Sequence, residues 1–198
     1  RLANTSMKPA IFLDRDGVIL EPVDYLHREE DMAIIAGMER EIASLNALGI
    51  PVIVITNQSA VARGILNEDA LSELHGVMRD QFAQTGASLD AIYSCPHHPD
   101  VGEPPYRAAC SCRKPAPGMI LQAATDLEID LANSAFIGDA LTDIEAAHNA
   151  GVGTTVLVLT GHGKKEFARI GTQGPQPDMI LADGPTAIQA LIDIMKDK

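Results

Sequence analysis

Short apolar runs alternate along this chain with longer stretches in which apolar residues recur every three or four positions. Continuous apolar runs are typical of strands buried on both faces, and the wider spacing is typical of amphipathic helices. The predicted strands are residues 10–13, 50–55, 89–93, 134–137, 154–159 and 178–181. The predicted helices are residues 37–48, 68–85, 117–127, 143–150 and 185–195. This alternation predicts an α/β fold, a parallel sheet with helices on both faces.

Residues with strong local preferences mark several of these boundaries. Asn67 is a good N-cap for the helix over 68–85, and Pro117 stands where proline is tolerated, at a helix start. Gly49 and Gly151 are placed to end the helices that precede them. Residues 95–114 form the one long segment without an obvious helix or strand pattern.

Polar residues follow the predicted strands where ligands usually bind. Asp14 and Asp16 come after the first strand, and Asp139 comes after the strand over 134–137. Thr56 opens a polar stretch, Thr-Asn-Gln-Ser, at the end of the second strand. Ligands of such sheets bind at the carboxyl ends of the strands, so these residues predict a site at that edge.

Composition narrows the classes of protein that remain. At 198 residues the chain has room for one domain, which we assign to residues 10–198 after a flexible lead-in over 1–9 without the apolar stretch of a signal peptide. A net charge of −12 and the absence of Trp disfavour nucleic-acid and anionic-membrane partners. No apolar run is long enough to span a bilayer. Three cysteines, two of them at Cys-x-Cys spacing beside Arg and Lys, fit a reducing compartment, so we expect a cytoplasmic protein.

The first acidic pair suits phosphoryl transfer. A carboxylate can attack a phosphate ester to form an aspartyl-phosphate, and a second group must then protonate the leaving oxygen. Asp14 is the expected nucleophile because it leaves the strand first, and Asp16 is the expected general acid and later the base for water. A turn or a Ca²⁺ loop is the alternative for this motif alone, but no further ligands fall in EF-hand register.

Other polar residues complete this expected chemistry. Mg²⁺ would be held by Asp14, the Asp16 backbone carbonyl and Asp139, because oxygen donors suit that ion. Thr56 would hydrogen-bond the phosphoryl oxygens, and Lys114 would supply positive charge in an acidic chain. Asp143 would support the site. Together these residues predict a Mg²⁺-dependent phosphatase.

The segment 95–114 carries four side chains that suit a metal. The candidate ligands are Cys95, His97, Cys110 and Cys112, which supply three thiolates and one imidazole. The segment is rich in proline and poor in apolar anchors, so a Zn²⁺ ion would give it a shape that burial cannot. The alternative is a loop with free thiols, and His98 is a rival ligand to its neighbour.

These motifs in this order carry a family resemblance. The matching segments are Asp14-Arg15-Asp16-Gly17-Val18, Thr56-Asn57-Gln58-Ser59, Arg63-Gly64, Cys95-Pro96-His97 and Cys110-Ser111-Cys112-Arg113-Lys114-Pro115. They resemble the haloacid dehalogenase superfamily, and within it the D-glycero-D-manno-heptose 1,7-bisphosphate phosphatases. The histidinol-phosphate phosphatases are close relatives with the same layout. The resemblance extends from about residue 11 to about residue 161.

The resemblance implies a Rossmann-like core without a large cap domain, Mg²⁺ catalysis and a structural zinc loop in which His97 is the ligand. It implies hydrolysis of the C7 phosphate of the heptose bisphosphate. The alternative is a histidinol-phosphate phosphatase or another small sugar-phosphate phosphatase. The expected substrate-binding residues are Asn57, Ser59, Arg63 and Arg113, and a monomer is expected. A non-catalytic binding protein would require the loss of a nucleophile, acid or metal ligand, and none is lost.

Two positions depart from the family pattern. Ala140 stands where a basic residue is common after the Asp that ends the motif, which removes one expected phosphate contact. Ala60 stands where glycine is common, and it would cost about 1 kcal/mol if that position required a positive φ. Neither departure touches the expected nucleophile or acid, so both bear on the substrate rather than on the chemistry.

Overall fold

The computed structural model describes residues 7–171 and 174–196, in which strands and helices alternate as the sequence predicts. The strands are β1 (Ile11–Leu13), β2 (Val52–Asn57), β3 (Ala91–Cys95), β4 (Ala135–Gly138), β5 (Thr154–Val158) and β6 (Met179–Leu181). The α-helices are α1 (Met38–Ala47), α2 (Glu68–Gln84), α3 (Gly118–Leu127), α4 (Leu141–Ala150), α5 (Gly163–Phe167) and α6 (Gly184–Lys196). Single turns of 3₁₀-helix lie at Glu29–Asp31 and Leu131–Asn133.

All strand pairs of the sheet are parallel, in the order β3-β2-β1-β4-β5-β6. The chain runs outward from β1 to β3, crosses back to β4 beside β1, and then runs outward on the other side. The strand order therefore reverses between β1 and β4. The carboxyl ends of these two central strands form the crevice in which sheets of this kind bind ligands.

Alternate residues of β1 enter two hydrophobic layers, one on each face of the sheet. Ile11 and Leu13 pack with buried residues of α1, α2 and α6. Phe12 packs on the other face with α3 and α4, and its ring stacks on that of Phe136, 6.3 Å away between centroids. Each fully buried side chain of this size contributes about 1.5–3 kcal/mol, so both layers hold the central strands firmly in register.

The structure confirms the fold class and shifts several boundaries. The Asn67 side chain accepts a hydrogen bond from the Ala70 N–H at 2.8 Å, as expected of the N-cap of α2. β3 begins two residues later than predicted and ends at Cys95, because its ladder with β2 continues to the pair Asn57 and Cys95. Helix α4 begins earlier than predicted, at Leu141, because Asp143 accepts a hydrogen bond from the Ala140 N–H.

One helix was not predicted, and one backbone contact lies within the predicted lead-in. Helix α5 is too short for periodicity to indicate it. Residues 1–6 of the predicted lead-in lie outside the described residues, and among residues 7–9 the Lys8 N–H donates to the Glu128 carbonyl at 3.1 Å. No helix among the described residues is long and apolar enough to cross a bilayer.

Candidate active site

Three buried carboxylates meet at the carboxyl ends of the central strands. Asp14 follows β1, Asp139 follows β4, and Asp143 lies in the first turn of α4. One carboxylate oxygen from each residue lies within 4.8 Å of those from the other two, and we call these residues the carboxylate cluster. Parallel pairing of β1 and β4 brings the first two together, since the Asp14 N–H donates to the Ile137 carbonyl at 3.0 Å.

The Lys114 ammonium lies in contact with this cluster. Its Nζ lies 2.9 Å from Asp14 Oδ1 and 2.7 Å from Asp143 Oδ1, and it donates to the Ile55 carbonyl at 2.9 Å. The side chain of Asn57 holds the backbone of the lysine from both sides, because its Nδ2 donates to the Lys114 carbonyl and its Oδ1 accepts from the Lys114 N–H. Lysine 114, remote in sequence from both carboxylates, is thus fixed by side chains from two strand ends.

Among the described residues, the three carboxylates of this cluster face only one positively charged side chain, Lys114. Burial raises the pKa of Asp14 to about 7, with Lys114 opposing the shift and Asp143 adding to it. Burial also raises the pKa of Asp139 to about 8, and the neighbouring carboxylates add to the shift. Burial disfavours the charge of Lys114, but Asp14 and Asp143 outweigh it and raise the pKa of the amine. Three carboxylates against one ammonium would accommodate a further cation.

The carboxylate of Asp139 is enclosed by backbone. The His162 N–H donates to its Oδ2 at 2.8 Å. Gly17, with φ of +79°, and Gly161, with φ of +56°, approach the same oxygen so closely that a Cβ on either residue would overlap it. Both glycines are required here by the close approach as well as by the left-handed backbone. Sequence reasoning singled out neither Gly161 nor His162, since no strand or turn signal linked them to Asp139.

Asp16 lies apart from the carboxylate cluster. Its carboxylate accepts hydrogen bonds from Arg15 Nε and Nη2, both at 3.0 Å, and from Gln58 Nε2 at 3.0 Å. Its side chain is 33% exposed, whereas the side chain of Arg15 is 1% exposed. Gln58 Nε2 also donates to Thr56 Oγ1 at 2.8 Å. The carboxylate that lies with Asp14 and Asp139 is that of Asp143, which the sequence suggested only as support.

A cleft of about 350 Å³ opens above these groups. Asp16, Asn57, Ser59, Asp139 and His162 are among the residues that line it. The cleft therefore leads from solvent to Asp16 and to Asp139, one member of the carboxylate cluster.

Two arginines expected to bind substrate make other contacts. The Arg63 guanidinium lies 5.0 Å from the centre of the Tyr25 ring, and Tyr25 lines the cleft. Arg113 Nη1 donates to the His97 carbonyl at 3.1 Å, which ties that side chain to the segment after β3.

The backbone at Ala60 does not need the positive φ that glycine would favour. Outside glycine, positive φ occurs among the described residues at Tyr25 and Glu128, so Ala60 carries no such strain.

The four predicted metal ligands of the segment after β3 are gathered in space. Cys95, His97, Cys110 and Cys112 have ligand atoms that all lie within 4.8 Å of one another, and we call them the Cys/His cluster. The cysteines are unbridged by disulfides. His98 is engaged elsewhere, since its Nδ1 accepts a hydrogen bond from the Asp100 N–H at 3.1 Å.

The sequence did not assign a role to three residues near Asp16, the expected general acid. Two of them contact its carboxylate, and the third contacts one of those two. Arg15 and Gln58 bind Asp16, and His75 of α2 lies 3.2 Å from Arg15 through its Nε2. A signal existed for His75, because it is the one polar residue among the buried positions Leu71, Leu74, Met78 and Phe82 of that helix.

Comparison with known proteins places this geometry among phosphatases. Residues 111–184 match the HAD-hydrolase-like family model. The D-glycero-beta-D-manno-heptose-1,7-bisphosphate 7-phosphatase of Photorhabdus laumondii is 42% identical over 187 residues, covering 92% of this chain and 96% of the relative. The Vibrio cholerae protein of the same name is 47% identical over 154 residues, covering 78% and 83%. The structure of D,D-heptose 1,7-bisphosphate phosphatase from B. bronchiseptica, complexed with magnesium and phosphate, has a TM-score of 0.84 and 35% identity, covering 95% of this chain and 99% of that chain.

Proposed function

Because this chain belongs to the heptose-1,7-bisphosphate 7-phosphatase family of HAD-like hydrolases, we propose that it removes the C7 phosphate of D-glycero-D-manno-heptose 1,7-bisphosphate. The observation that carries the proposal is a buried carboxylate at the end of β1, Asp14, which is paired with Lys114 at 2.9 Å and lies beside Asp139. Asp139 and Asp16 both line an open cleft. A nucleophile, a counter-charge and a proton donor thus meet where a phosphate ester can enter.

In the proposed reaction, a carboxylate oxygen of Asp14 attacks the phosphorus in line with the bond to the sugar oxygen. That bond breaks, Asp16 gives its proton to the departing oxygen, and an aspartyl-phosphate remains. Asp16 then takes a proton from water, whose oxygen attacks the phosphorus and returns Asp14 to its carboxylate form. Thr56 Oγ1 accepts from Gln58, which leaves its own O–H to donate to a phosphoryl oxygen.

The carboxylate cluster has the donor chemistry of a Mg²⁺ site, since it offers buried carboxylate oxygens whose charge Lys114 compensates only in part. Asp14, Asp139 and the backbone carbonyl of Asp16 would hold the ion, with Asp143 engaged by Lys114. Bound Mg²⁺ supplies positive charge that offsets the repulsion between the nucleophile and the phosphate.

The Cys/His cluster has the donor chemistry of a closed, structural Zn²⁺ site. We assign it a structural role because all four donors come from the protein, which leaves no open position for substrate. Arg113 and Lys114 follow Cys112 directly, so an ordered cluster would brace both residues beside the cleft.

The proposal includes a monomeric cytoplasmic enzyme that acts on a free phosphorylated sugar. The net charge of −12 supports a small free substrate, because it disfavours binding to nucleic acid or to anionic lipid.

One observation favours histidinol phosphate as a second candidate substrate. The cleft is lined by the carboxylates of Asp16, Asp24 and Asp139, and Arg113 is engaged with His97. An acidic cleft suits a cationic amino alcohol better than a second phosphate. For the heptose bisphosphate, the second phosphate would have to release Arg113 from the His97 carbonyl or recruit Arg63 from Tyr25.

Phosphate release with Mg²⁺ distinguishes these substrates. We would compare kcat/KM for both anomers of the heptose bisphosphate, for fructose 1,6-bisphosphate and for histidinol phosphate. We expect the β anomer to be preferred by about 100-fold or more, which is about 2.7 kcal/mol of transition-state discrimination. A preference for histidinol phosphate would overturn the assignment of substrate but leave the chemistry intact, and the Asp14→Asn variant controls for contaminating phosphatase.

A further inference from the structure

We propose that Arg15 and His75 are positioning residues that hold the Asp16 carboxylate in the orientation needed to protonate the leaving oxygen. The inference rests on the proposed role of Asp16 as general acid. The residues form a chain of contacts from α2 to the cleft, which we call the Asp16 network: His75, Arg15, Gln58 and Asp16.

The first step of the chain is a bidentate pair. Arg15 Nε and Nη2 donate to Asp16 Oδ1 and Oδ2, each at 3.0 Å. Two parallel hydrogen bonds between a planar guanidinium and a carboxylate set the plane of the carboxylate as well as its position. Neighbouring residues on an extended strand point to opposite sides, so this pairing reflects the turn that follows β1 rather than strand geometry.

The guanidinium itself is held from two further sides. Arg15 Nη2 donates to Gln58 Oε1 at 3.0 Å, and Nη1 lies 3.2 Å from His75 Nε2. The arginine side chain is 1% exposed, so in the folded chain these partners, rather than bulk water, hold its guanidinium. An unpaired donor of a buried charged group is costly, and the guanidinium would turn to avoid it.

His75 is suited to accept rather than to donate. Burial first, and then the neighbouring Arg15 charge, lower the pKa of His75 to about 4. The imidazole is therefore neutral at pH 7, and because a guanidinium can only donate, Nε2 accepts and Nδ1 carries the proton. His75 thus anchors the far side of the guanidinium whose near side holds Asp16.

A misplaced general acid has a characteristic kinetic effect. An alkyl phosphate such as a sugar phosphate expels a strongly basic alkoxide and needs the proton, whereas p-nitrophenyl phosphate expels a stable phenolate and does not. Since kcat/KM reports the steps through departure of the leaving group, the ratio of kcat/KM for the two substrates measures how well Asp16 is placed. A general loss of folding lowers both values together and leaves the ratio unchanged.

The experiment compares His75→Leu, which removes the acceptor, with His75→Gln and His75→Asn. The end of a glutamine side chain reaches close to the position of a histidine Nε2, and asparagine is one methylene shorter. Met78→Ala is the matched control, because Met78 is a fully buried residue one turn along the same helix. The alkyl substrate is whichever sugar phosphate the wild type turns over fastest.

We expect His75→Leu to lower kcat/KM for the alkyl phosphate by about 10- to 100-fold and for p-nitrophenyl phosphate by less than about threefold, since general acids contribute about 10²- to 10⁴-fold. His75→Gln should restore the wild-type ratio, His75→Asn should not, and Met78→Ala should lower the melting temperature with the ratio unchanged. If His75→Leu does not fold, the pair of amide variants carries the same comparison.

Equal losses on both substrates, or a wild-type ratio in both His75→Leu and His75→Asn, would overturn the inference. A wild type that prefers a sugar phosphate other than the heptose bisphosphate would overturn the proposed substrate alone, because the ratio is measured on any alkyl phosphate that is hydrolysed.

Discussion

The active site at the strand ends and the Cys/His cluster differ in what holds them together. Asp14, Lys114 and Asp143 are at most 8% exposed and lie where strands of a well-packed sheet end. The Cys/His cluster is completed by Cys110 and Cys112 from a stretch without helix or strand, and both are half-buried. The hydrophobic layers on the two faces of the sheet position the first site, whereas in the second site only Cys95 is fully buried in such a layer, with Cys110 and Cys112 packed against it.

The difference teaches that the two proposed metal sites stand in opposite relation to the fold. The active site exists because the protein is folded, and its charged residues cost stability that the core offsets. Cys110 and Cys112 of the Cys/His cluster are half-buried and lie in no helix or strand, so the metal would contribute to folding of the segment around them. Substitutions at the first site should therefore change chemistry, and those at the second should change stability first.

The strongest test of this contrast is Asp14→Asn. The substitution removes the nucleophile while preserving shape, so we expect kcat to fall by at least about 10⁴-fold. It also removes a buried charge, so the melting temperature should not fall. Steady-state kinetics and a thermal melt of the same sample provide both readings. Substantial residual activity would rule out the aspartyl-phosphate mechanism.

Lys114→Met should affect both chemistry and stability. It leaves Asp14 and Asp143 buried without a counter-charge, and breaking a buried ion pair from one side costs about 3–5 kcal/mol. Urea denaturation measures this loss, with Lys165→Met, an exposed position, as the control expected to change little. Saturating Mg²⁺ should return part of the stability. A variant as stable as the control would mean that the cluster does not depend on the lysine for its charge balance.

Cys110→Ser should act on stability before activity. Losing one of four ligands should abolish bound zinc and lower stability by about 2 kcal/mol, which for a chain of this size lowers the melting temperature by about 4–8 °C. Zinc content, the melt and kcat at 25 °C are measured together, with Ser111→Ala as the neighbouring control. Loss of activity at unchanged zinc content and melting temperature would contradict a structural role.

The smallest expected effect concerns His75 and pH. Its pKa in the folded chain, about 4, lies below the ordinary value of 6.5 because of burial and the Arg15 charge. The unfolded chain binds a proton more readily between these values, so stability is complete above about pH 6.5 and falls as pH approaches 4. The wild type should therefore lose about 2 kcal/mol more than His75→Gln between pH 7 and pH 5. Parallel losses in the two proteins would mean that His75 is not buried as a neutral ring.

Much of this protein is determined by local sequence. Alternating apolar runs and amphipathic stretches are sufficient to predict the parallel sheet, and Asn67 is sufficient to predict the start of α2. Both predictions succeed because periodicity and capping act over a few residues. The positions of Asp14, Asp139 and the four cysteine and histidine ligands follow from the same local pattern, since strand ends and closely spaced ligand pairs can be identified without the fold.

Only the tertiary structure decided which polar groups meet. Asp143 contacts Lys114 in the carboxylate cluster, and Asn57 binds the backbone of that lysine, 57 residues away in sequence. Arg15 contacts His75, which is 60 residues away. Local periodicity says which face of an element is buried but not which buried polar atoms satisfy one another. That choice depends on the packing of whole elements, because each buried charge must find its partner among groups that only the folded chain brings within reach.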